Sequence, residues 1–254
     1  MRHKDIVKMA LAAGPVILAG TTAVAADDAK VDEAFETLKT YDWGADRNAL
    51  NPIDEAVVAT YGDADARLAL EKRLAAVLAT DASRSAKDFV CRKLRTVGTA
   101  ESVPALAGLL SDEELSHMSR YALERIPAPE AAAALRDALP KVKGDLKIGV
   151  IGSLGSRRDA GSVSALAALL KDSDAAVALA AANSLAAIGT PEAGKALSGA
   201  AKAAPDACLA CAEVLLADGK KAEALALYKL LNSPDQPQSI RVAATRGILA
   251  VARK

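Results

Sequence analysis

Aromatic residues are scarce in this chain, and so are the residue types that build most catalytic centres. Phe, Trp and Tyr make up 3% of the residues, and the chain has 2 His. His117 is the only histidine beyond the first few residues, and a lone histidine without a clear carboxylate partner predicts a surface residue rather than a general base. The chain also lacks G-x-S-x-G, H-E-x-x-H and phosphate-binding glycine motifs. We therefore predict no catalytic residue and no cofactor.

An excess of charge of either sign is also absent. The 254 residues contain 32 Lys and Arg against 32 Asp and Glu, which gives a formal net charge of +0. Proteins that bind nucleic acids normally carry a clear basic excess, because phosphate contacts supply most of the affinity. The charge balance therefore argues against nucleic acid and favours another protein as the partner.

Cysteine is rare as well, with 3 in the chain. Cys208 and Cys211 have C-x-x-C spacing, but a c-type haem requires a histidine where Ala212 stands. A zinc site needs about four ligands, and a thioredoxin-like pair expects a βαβ setting, and the sequence offers neither. We therefore predict no metal site. Either both thiols lie on a buried apolar stripe with Leu215, or they form a local disulfide or a redox pair; the third, Cys91, we expect to be buried.

The first residues have the three-part layout of a secretory signal. A basic start precedes an apolar stretch over residues 9–20, and small residues follow in the A-x-A form Ala23-Val24-Ala25. Gly14 and Pro15 make this stretch a poor membrane-spanning helix, so an uncleaved anchor is the weaker alternative. We expect residues 1–26 to be removed as a signal peptide. This predicts an exported protein of the periplasm or cell envelope, with no membrane insertion after cleavage.

Leucines recur along the chain with a period of about 30 residues. The column consists of Leu74, Leu106, Leu135, Leu166, Leu197 and Leu227. An apolar pair follows each leucine three and four residues later, and this spacing places the residues on one helix face. Runs of β-branched residues typical of strands are nearly absent, whereas Ala and Leu, which are strong helix formers, are abundant. Each unit therefore begins with an amphipathic helix, which we call helix A.

A second helix, helix B, closes each unit, with apolar landmarks at i, i+3. A helix breaker follows the landmarks at Gly98, Pro127, Gly155 and Gly189. Glycine suits the left-handed position that ends a helix, and the following Thr190 and Pro191 suit the start of the next one.

One helix pair cannot bury its own apolar face, so such units are stable only when stacked. We predict an all-α fold: a right-handed α-solenoid of about six stacked antiparallel helix pairs over residues 65–254. Residues 27–64 are predicted to form an N-terminal helical cap.

Two turn sequences resemble those of a known repeat family. Residues 97–106, Val-Gly-Thr-Ala-Glu-Ser-Val-Pro-Ala-Leu, and residues 188–193, Ile-Gly-Thr-Pro-Glu-Ala, resemble the turn and helix start of HEAT-like repeats. The pattern resembles the short bacterial kind, including repeats of the phycobilisome lyase type. The resemblance implies the helical-repeat architecture, and it raises by analogy the alternative of an enzyme or accessory subunit.

Basic residues of the B helices are the first candidates for a contact surface. They are Arg92, Lys93, Arg95, Arg120 and Arg125. They form either an ordinary solvated helix face or a positive groove that holds an acidic partner.

Two further segments are candidates. Arg157 and Arg158 lie in an insertion that breaks the repeat period, which is either a turn or a contact loop. Trp43, with Tyr41, is expected to cover the exposed end of the first repeat, and a contact role is the alternative.

A long neutral surface without catalytic residues predicts a non-catalytic protein-binding scaffold of the cell envelope. The partner is expected to dock on the concave face lined by the B helices. The alternative is an enzyme or accessory subunit of lyase or redox type that uses Cys208 and Cys211.

Overall fold

The computed structural model of the protein describes residues 18–253, with side chains from residue 28 onward. This part of the chain is helical and contains no strand. It contains fourteen α-helices and three short 3-10 turns, each of which directly precedes an α-helix. The 3-10 turns are Arg47–Leu50, Ala100–Ser102 and Ala160–Ser162. The α-helices are α1 (Leu18–Thr40), α2 (Asn51–Ala59), α3 (Ala64–Leu78), α4 (Arg84–Val97), α5 (Val103–Ala107), α6 (Ser116–Leu123), α7 (Pro129–Ala138), α8 (Gly144–Ser156), α9 (Val163–Leu169), α10 (Ala175–Ile188), α11 (Pro191–Ser198), α12 (Pro205–Ala217), α13 (Lys221–Leu231) and α14 (Gln238–Arg253).

The predicted stack of helix pairs is confirmed. Helices α3 to α14 form six successive pairs, in which the odd-numbered member is helix A and the even-numbered member is helix B. Each B helix contacts the B helix of the next pair along the whole row from α4 to α14. The leucine column is buried in every A helix, and the buried residues form one core that continues from α1 to α14. The protein is therefore an α-solenoid, in which each layer buries the apolar face of its neighbour.

The local sequence signals explain how consecutive pairs are joined at α10. Gly189 follows α10 with a φ of 64°, in the left-handed region that glycine tolerates. The Thr190 side chain then accepts a hydrogen bond of 3.2 Å from the Ala193 N–H and caps α11. Pro191 takes the first position of α11, as predicted.

Of the predicted helix-ending glycines, Gly98 ends α4 without the left-handed conformation, and Gly155 has a different role. Gly98 has φ −60° and ψ 143°, which is not the left-handed conformation. Gly155 lies inside α8, which continues to Ser156, and the left-handed residue there is Arg158, with φ 52°. A Cβ at Gly155 would lie 2.9 Å from the Ser184 Cα in α10. Gly155 is therefore required for close approach of two B helices and not for a turn.

Helices α1 and α2 contact the first repeat, and Leu38 of α1, Leu50 of the 3-10 turn and Ile53 of α2 are all 0% exposed. The expectation that Trp43 covers this end was wrong: its side chain is 94% exposed. Aliphatic residues of the cap cover the end of the first repeat instead, and Trp43 lies on the turn between α1 and α2.

The predicted signal peptide lies mostly outside the described residues. Where the description begins, at Leu18, the backbone is already helical, and α1 passes through the predicted A-x-A site at 23–25 without a break. Within residues 18–253, none of the helices combines the length and the hydropathy that a membrane crossing requires.

Candidate functional site

A pocket of 290 Å³ lies at the N-terminal end of the row of B helices, and we call it the N-terminal pocket. It is lined by Tyr41, Trp43, Arg47, Arg84, Ser85, Asp88, Phe89, Arg92, Lys93 and Met118. The structure thus brings together four residues that the sequence had identified in separate places, Tyr41 and Trp43 from the cap and Arg92 and Lys93 from α4.

The turn that carries Trp43 is anchored to the start of α4 through the two residues that precede the indole. The Ser83 hydroxyl donates a hydrogen bond of 2.5 Å to the Tyr41 carbonyl, and the Ser85 hydroxyl donates one of 3.1 Å to the Asp42 carboxylate. Hydrogen bonds from the Trp43 main-chain N–H and from Ser85 lower the pKa of Asp42. The backbone is therefore held in place while the Trp43 side chain faces water.

Two cations of the pocket share one carboxylate. Arg47 reaches the Asp54 carboxylate at 2.5 Å, and Lys93 forms a second ion pair with it. Burial raises the pKa of Asp54, but hydrogen bonds from Lys93 and Arg47 outweigh this effect and hold the pKa below its ordinary value. Both cations also lie over the Phe89 ring, at 4.6 Å for Arg47 and 4.8 Å for Lys93. One positive charge of this group is not neutralised.

Arg92 lies on the exposed side of α4. It pairs with Asp88 at 3.0 Å, and the hydrogen bond that it donates to the Asp88 carboxylate raises the pKa of the guanidinium. Its guanidinium is 5.8 Å from the centre of the Tyr121 ring on α6. Arg95, one turn further along α4, lies on the same ring at 4.4 Å and forms no ion pair with a carboxylate of the described residues. Tyr121 therefore holds two guanidinium groups at the surface between the first two B helices.

Two cations of the pocket, Arg84 and Arg47, were missed by the sequence analysis. Arg84 is exposed, and its Nε donates only a long hydrogen bond of 3.5 Å to the Glu114 carbonyl. Its spacing of eight residues from Arg92 places both on one face of α4. This periodicity could have revealed Arg84, whereas Arg47 belongs to the cap and no local pattern connects it to α4.

The remaining predicted basic residues do not reach the pocket. The Arg120 guanidinium donates to the Gly149 carbonyl at 3.0 Å and to the Ser153 hydroxyl at 3.4 Å, and its burial lowers its pKa. It is part of the α6–α8 interface. Arg125 is exposed and forms no ion pair with any residue that the structure describes.

The insertion in the fourth repeat makes contacts within the chain. Arg157 donates to the carbonyls of Leu123 and Ile126, the latter at 2.7 Å, and so closes the end of α6. Arg158 donates at 3.4 Å to the Ile188 carbonyl at the end of α10, and its guanidinium pairs with Asp218 at 2.7 Å. Cations placed at helix ends satisfy free carbonyls and the helix dipole. A contact role of this loop remains a prediction.

The three cysteines are reduced and fully buried. The Cys208 thiol donates a hydrogen bond of 3.1 Å to the Leu197 carbonyl. Burial raises the pKa of Cys208 to about 11, and burial together with Cys208 raises that of Cys211 to about 12. A nucleophilic thiol needs a lowered pKa and access to solvent. The pair thus lies on the buried stripe with Leu215, and nothing around it favours redox chemistry.

The N-terminal pocket can attract anions and stack against aromatic or apolar groups, because cations and an exposed indole line it. Its lining contains no histidine or cysteine. In the part of the chain that the structure describes, no group of His, Cys, Asp and Glu side chains is arranged to hold a metal ion.

Comparison with known proteins gives a family match for part of the chain and structural likenesses of low identity over most of it. No curated protein matches. Among solved structures, an engineered protein is 21% identical with a TM-score of 0.37, over 88% of this chain and 96% of that chain. A second engineered protein is 21% identical with a TM-score of 0.37, over 87% of this chain and 61% of that chain. Human deoxyhypusine hydroxylase in complex with glycerol is 16% identical with a TM-score of 0.34, over 92% of this chain and 100% of that chain.

The family match covers the helices from the second member of the third pair to the end of the fifth pair. The matched residues begin just before α8 and end with the last residue of α12, so the match contains the five helices from α8 to α12 in full. Repeats of this family generally serve as protein-binding scaffolds. Residues 141–217 match the family described as HEAT repeats.

Proposed function

We propose that the chain is a non-catalytic scaffold of the cell envelope that binds another protein on the surface formed by its B helices. The N-terminal pocket is the docking point. Export and cleavage of residues 1–26 belong to this proposal, as does the assignment of the repeats to the short bacterial kind.

The single observation that carries the proposal is the exposure of Trp43 beside the cations of α4. Tryptophan is large and apolar, and full exposure leaves its hydrophobic area in contact with water. Trp and Arg are the residues most enriched among those that dominate binding energy in protein interfaces. An ordered turn that holds the indole outward thus suits a contact with a partner and does not serve the core.

The experiment is affinity capture from envelope extract of the source cells, with the chain lacking residues 1–26 as bait. Trp43→Ala is compared with Tyr61→Ala, which removes an aromatic side chain that is 96% exposed and does not line the N-terminal pocket. We expect one partner to be captured by the wild type and by Tyr61→Ala, and to be lost with Trp43→Ala. Equal capture by all three baits, or no specific partner at any salt concentration, would contradict the proposal.

The location is tested separately by fractionation of the source cells and by mass spectrometry of the purified chain. We expect the protein in the periplasmic or envelope fraction, with its N-terminus at Asp27. If the protein is found in the cytoplasm with residues 1–26 retained, the proposed location in the cell envelope is wrong.

A further inference from the structure

Positive charge lies at both ends of the row of B helices, with three arginines on α14, and it is densest on the first helix. The first of them, α4, carries Arg84, Lys87, Arg92, Lys93 and Arg95 against the single carboxylate of Asp88. Three pairs further along, α10 has no charged residue, and α12, in the next pair, carries only two acidic residues. The N-terminal pocket is therefore positive relative to α10 and α12 of the same row.

Several of these cations are held in position and are not fully neutralised within the chain. Among the residues that the structure describes, Arg84 has no carboxylate partner and Arg95 has none either, and the buried Nε of Arg95 has no acceptor there. Arg92 is fixed against Tyr121, and Lys93 against Phe89. Side chains that are already ordered lose little entropy when a ligand binds, so their charges act more strongly on an incoming anion.

The size of the pocket limits the ligand to a segment of chain. A volume of 290 Å³ holds a few side chains and not a folded surface. Trp43 at the edge offers an apolar face, and the guanidinium groups of Arg84 and Arg92 offer planar donors that fit carboxylates. A single exposed indole and a net charge of +0 do not suit a nucleic acid, which needs a long basic surface with several stacking platforms.

We propose that the N-terminal pocket binds an acidic linear segment of the partner protein, with carboxylates on Arg84 and Arg92 and an apolar side chain against Trp43. This inference rests on the proposed scaffold function and adds the chemistry of the partner. Binding is steered by charge, weakens with rising salt concentration and requires no folded domain on the partner side.

Trp43 is the only tryptophan in the chain, so its fluorescence reports on the pocket directly. The probe is a synthetic peptide of alternating Glu and Leu, and the matched control peptide has Gln in place of every Glu. An oligonucleotide of the same charge is the third titrant. We expect a saturable blue shift of the Trp43 emission with the Glu peptide only, and we expect salt to weaken it.

The charge-reversal variant combines Arg84→Glu and Arg92→Glu. Arg84 is the first residue of α4, where a carboxylate favours the helix dipole, so the substitution is compatible with folding. We expect binding of the Glu peptide to weaken at least about tenfold, since like charges now face each other. Arg246→Glu, which reverses an exposed cation on α14, serves as the matched control and should bind as the wild type does. Circular dichroism checks that both variants are folded.

The inference is overturned by equal shifts with the Glu and Gln peptides, by no saturable shift, or by charge-reversal and control variants that bind alike. Binding of the oligonucleotide as tightly as the Glu peptide also overturns it in favour of a general polyanion site. If Trp43-dependent capture of a partner succeeds while the Glu peptide fails, the scaffold function stands and only the acidic chemistry is wrong. If the peptide binds and no partner is captured, the scaffold function fails.

Discussion

Glu71 is the only charged residue among the buried residues of the described chain, and its removal tests how the first two repeats are joined. It lies on α3 and is 0% exposed. Its carboxylate accepts hydrogen bonds from the Thr99 N–H at 2.6 Å, the Thr99 hydroxyl at 2.8 Å and the Ser102 N–H at 3.0 Å. It thus satisfies the free donors of the turn that precedes α5, in the next repeat.

The expected loss in Glu71→Ala follows from these contacts. Each main-chain donor left without an acceptor in a buried position costs about 1–3 kcal/mol. Ser102 is fully buried and Thr99 only partly, so Ser102 is the larger contribution. The one lost methylene group adds about 0.8 kcal/mol. We expect the free energy of unfolding to fall by about 4 kcal/mol, which is a large share of the about 5–15 kcal/mol typical of folded proteins.

The assay is urea unfolding followed by far-UV circular dichroism, because Trp43 is too exposed to report on unfolding. With a slope of about 2 kcal/mol per M, the unfolding midpoint should fall by about 2 M. Glu71→Gln retains the volume and one acceptor, and should lose about half as much. Glu101→Ala is the control, since this carboxylate is exposed and only 3.9 Å from Lys72, and it should shift little. A midpoint for Glu71→Ala equal to that of Glu101→Ala would refute the reasoning.

Three further changes have definite expected outcomes. Gly155→Ala should lower the stability by about 1–3 kcal/mol in thermal denaturation, because the new Cβ would meet the main chain of α10. Gly152→Ala on the same helix is the control. A Cβ at Gly152 would have no atom within 4 Å, so this substitution should be neutral or stabilising by up to about 1 kcal/mol. Arg157→Ala should lower the free energy of unfolding by about 1–3 kcal/mol, since it leaves carbonyls at the end of α6 without donors. Arg125→Ala is the control and should change it by no more than about 0.5 kcal/mol. Equal losses in the two variants would contradict the capping role of Arg157. The three thiols should resist alkylation at neutral pH until urea unfolds the chain, and rapid labelling of the folded chain would disprove this. Burial raises their pKa from 9.0 to about 11 or 12. The contribution of the protonated thiols to the free energy of unfolding should therefore be fully present below pH 9 and should decrease as the pH rises above it.

The helix pairs could be predicted from the sequence because their signal is local. The spacing of the leucine column and of the apolar pairs depends only on the 3.6-residue period of a helix. Thr190 and Pro191 likewise act on the turn that contains them. The sequence therefore predicted six helix pairs, and Arg92 and Lys93 as candidate residues, from spacing and composition alone.

The remaining features could not be predicted because they depend on residues in other repeats. Gly155 has the same local surroundings as a helix-ending glycine, and only the position of α10 shows that it serves close packing. Arg157 reads as a loop residue until the end of α6 is placed beside it. Trp43 was expected to lie on the core, but the aliphatic residues of α1 and α2 already cover the first repeat.

The sequence by itself determined which segments are helices, how they pair and which residues form the core, because hydrophobic periodicity and helix capping act over a few neighbouring residues. Only the tertiary structure decided which cations are neutralised, which thiols are out of reach of solvent and where the one tryptophan is exposed. Those outcomes depend on burial and on contacts between groups about 30 residues or more apart, which stacking of the repeats creates.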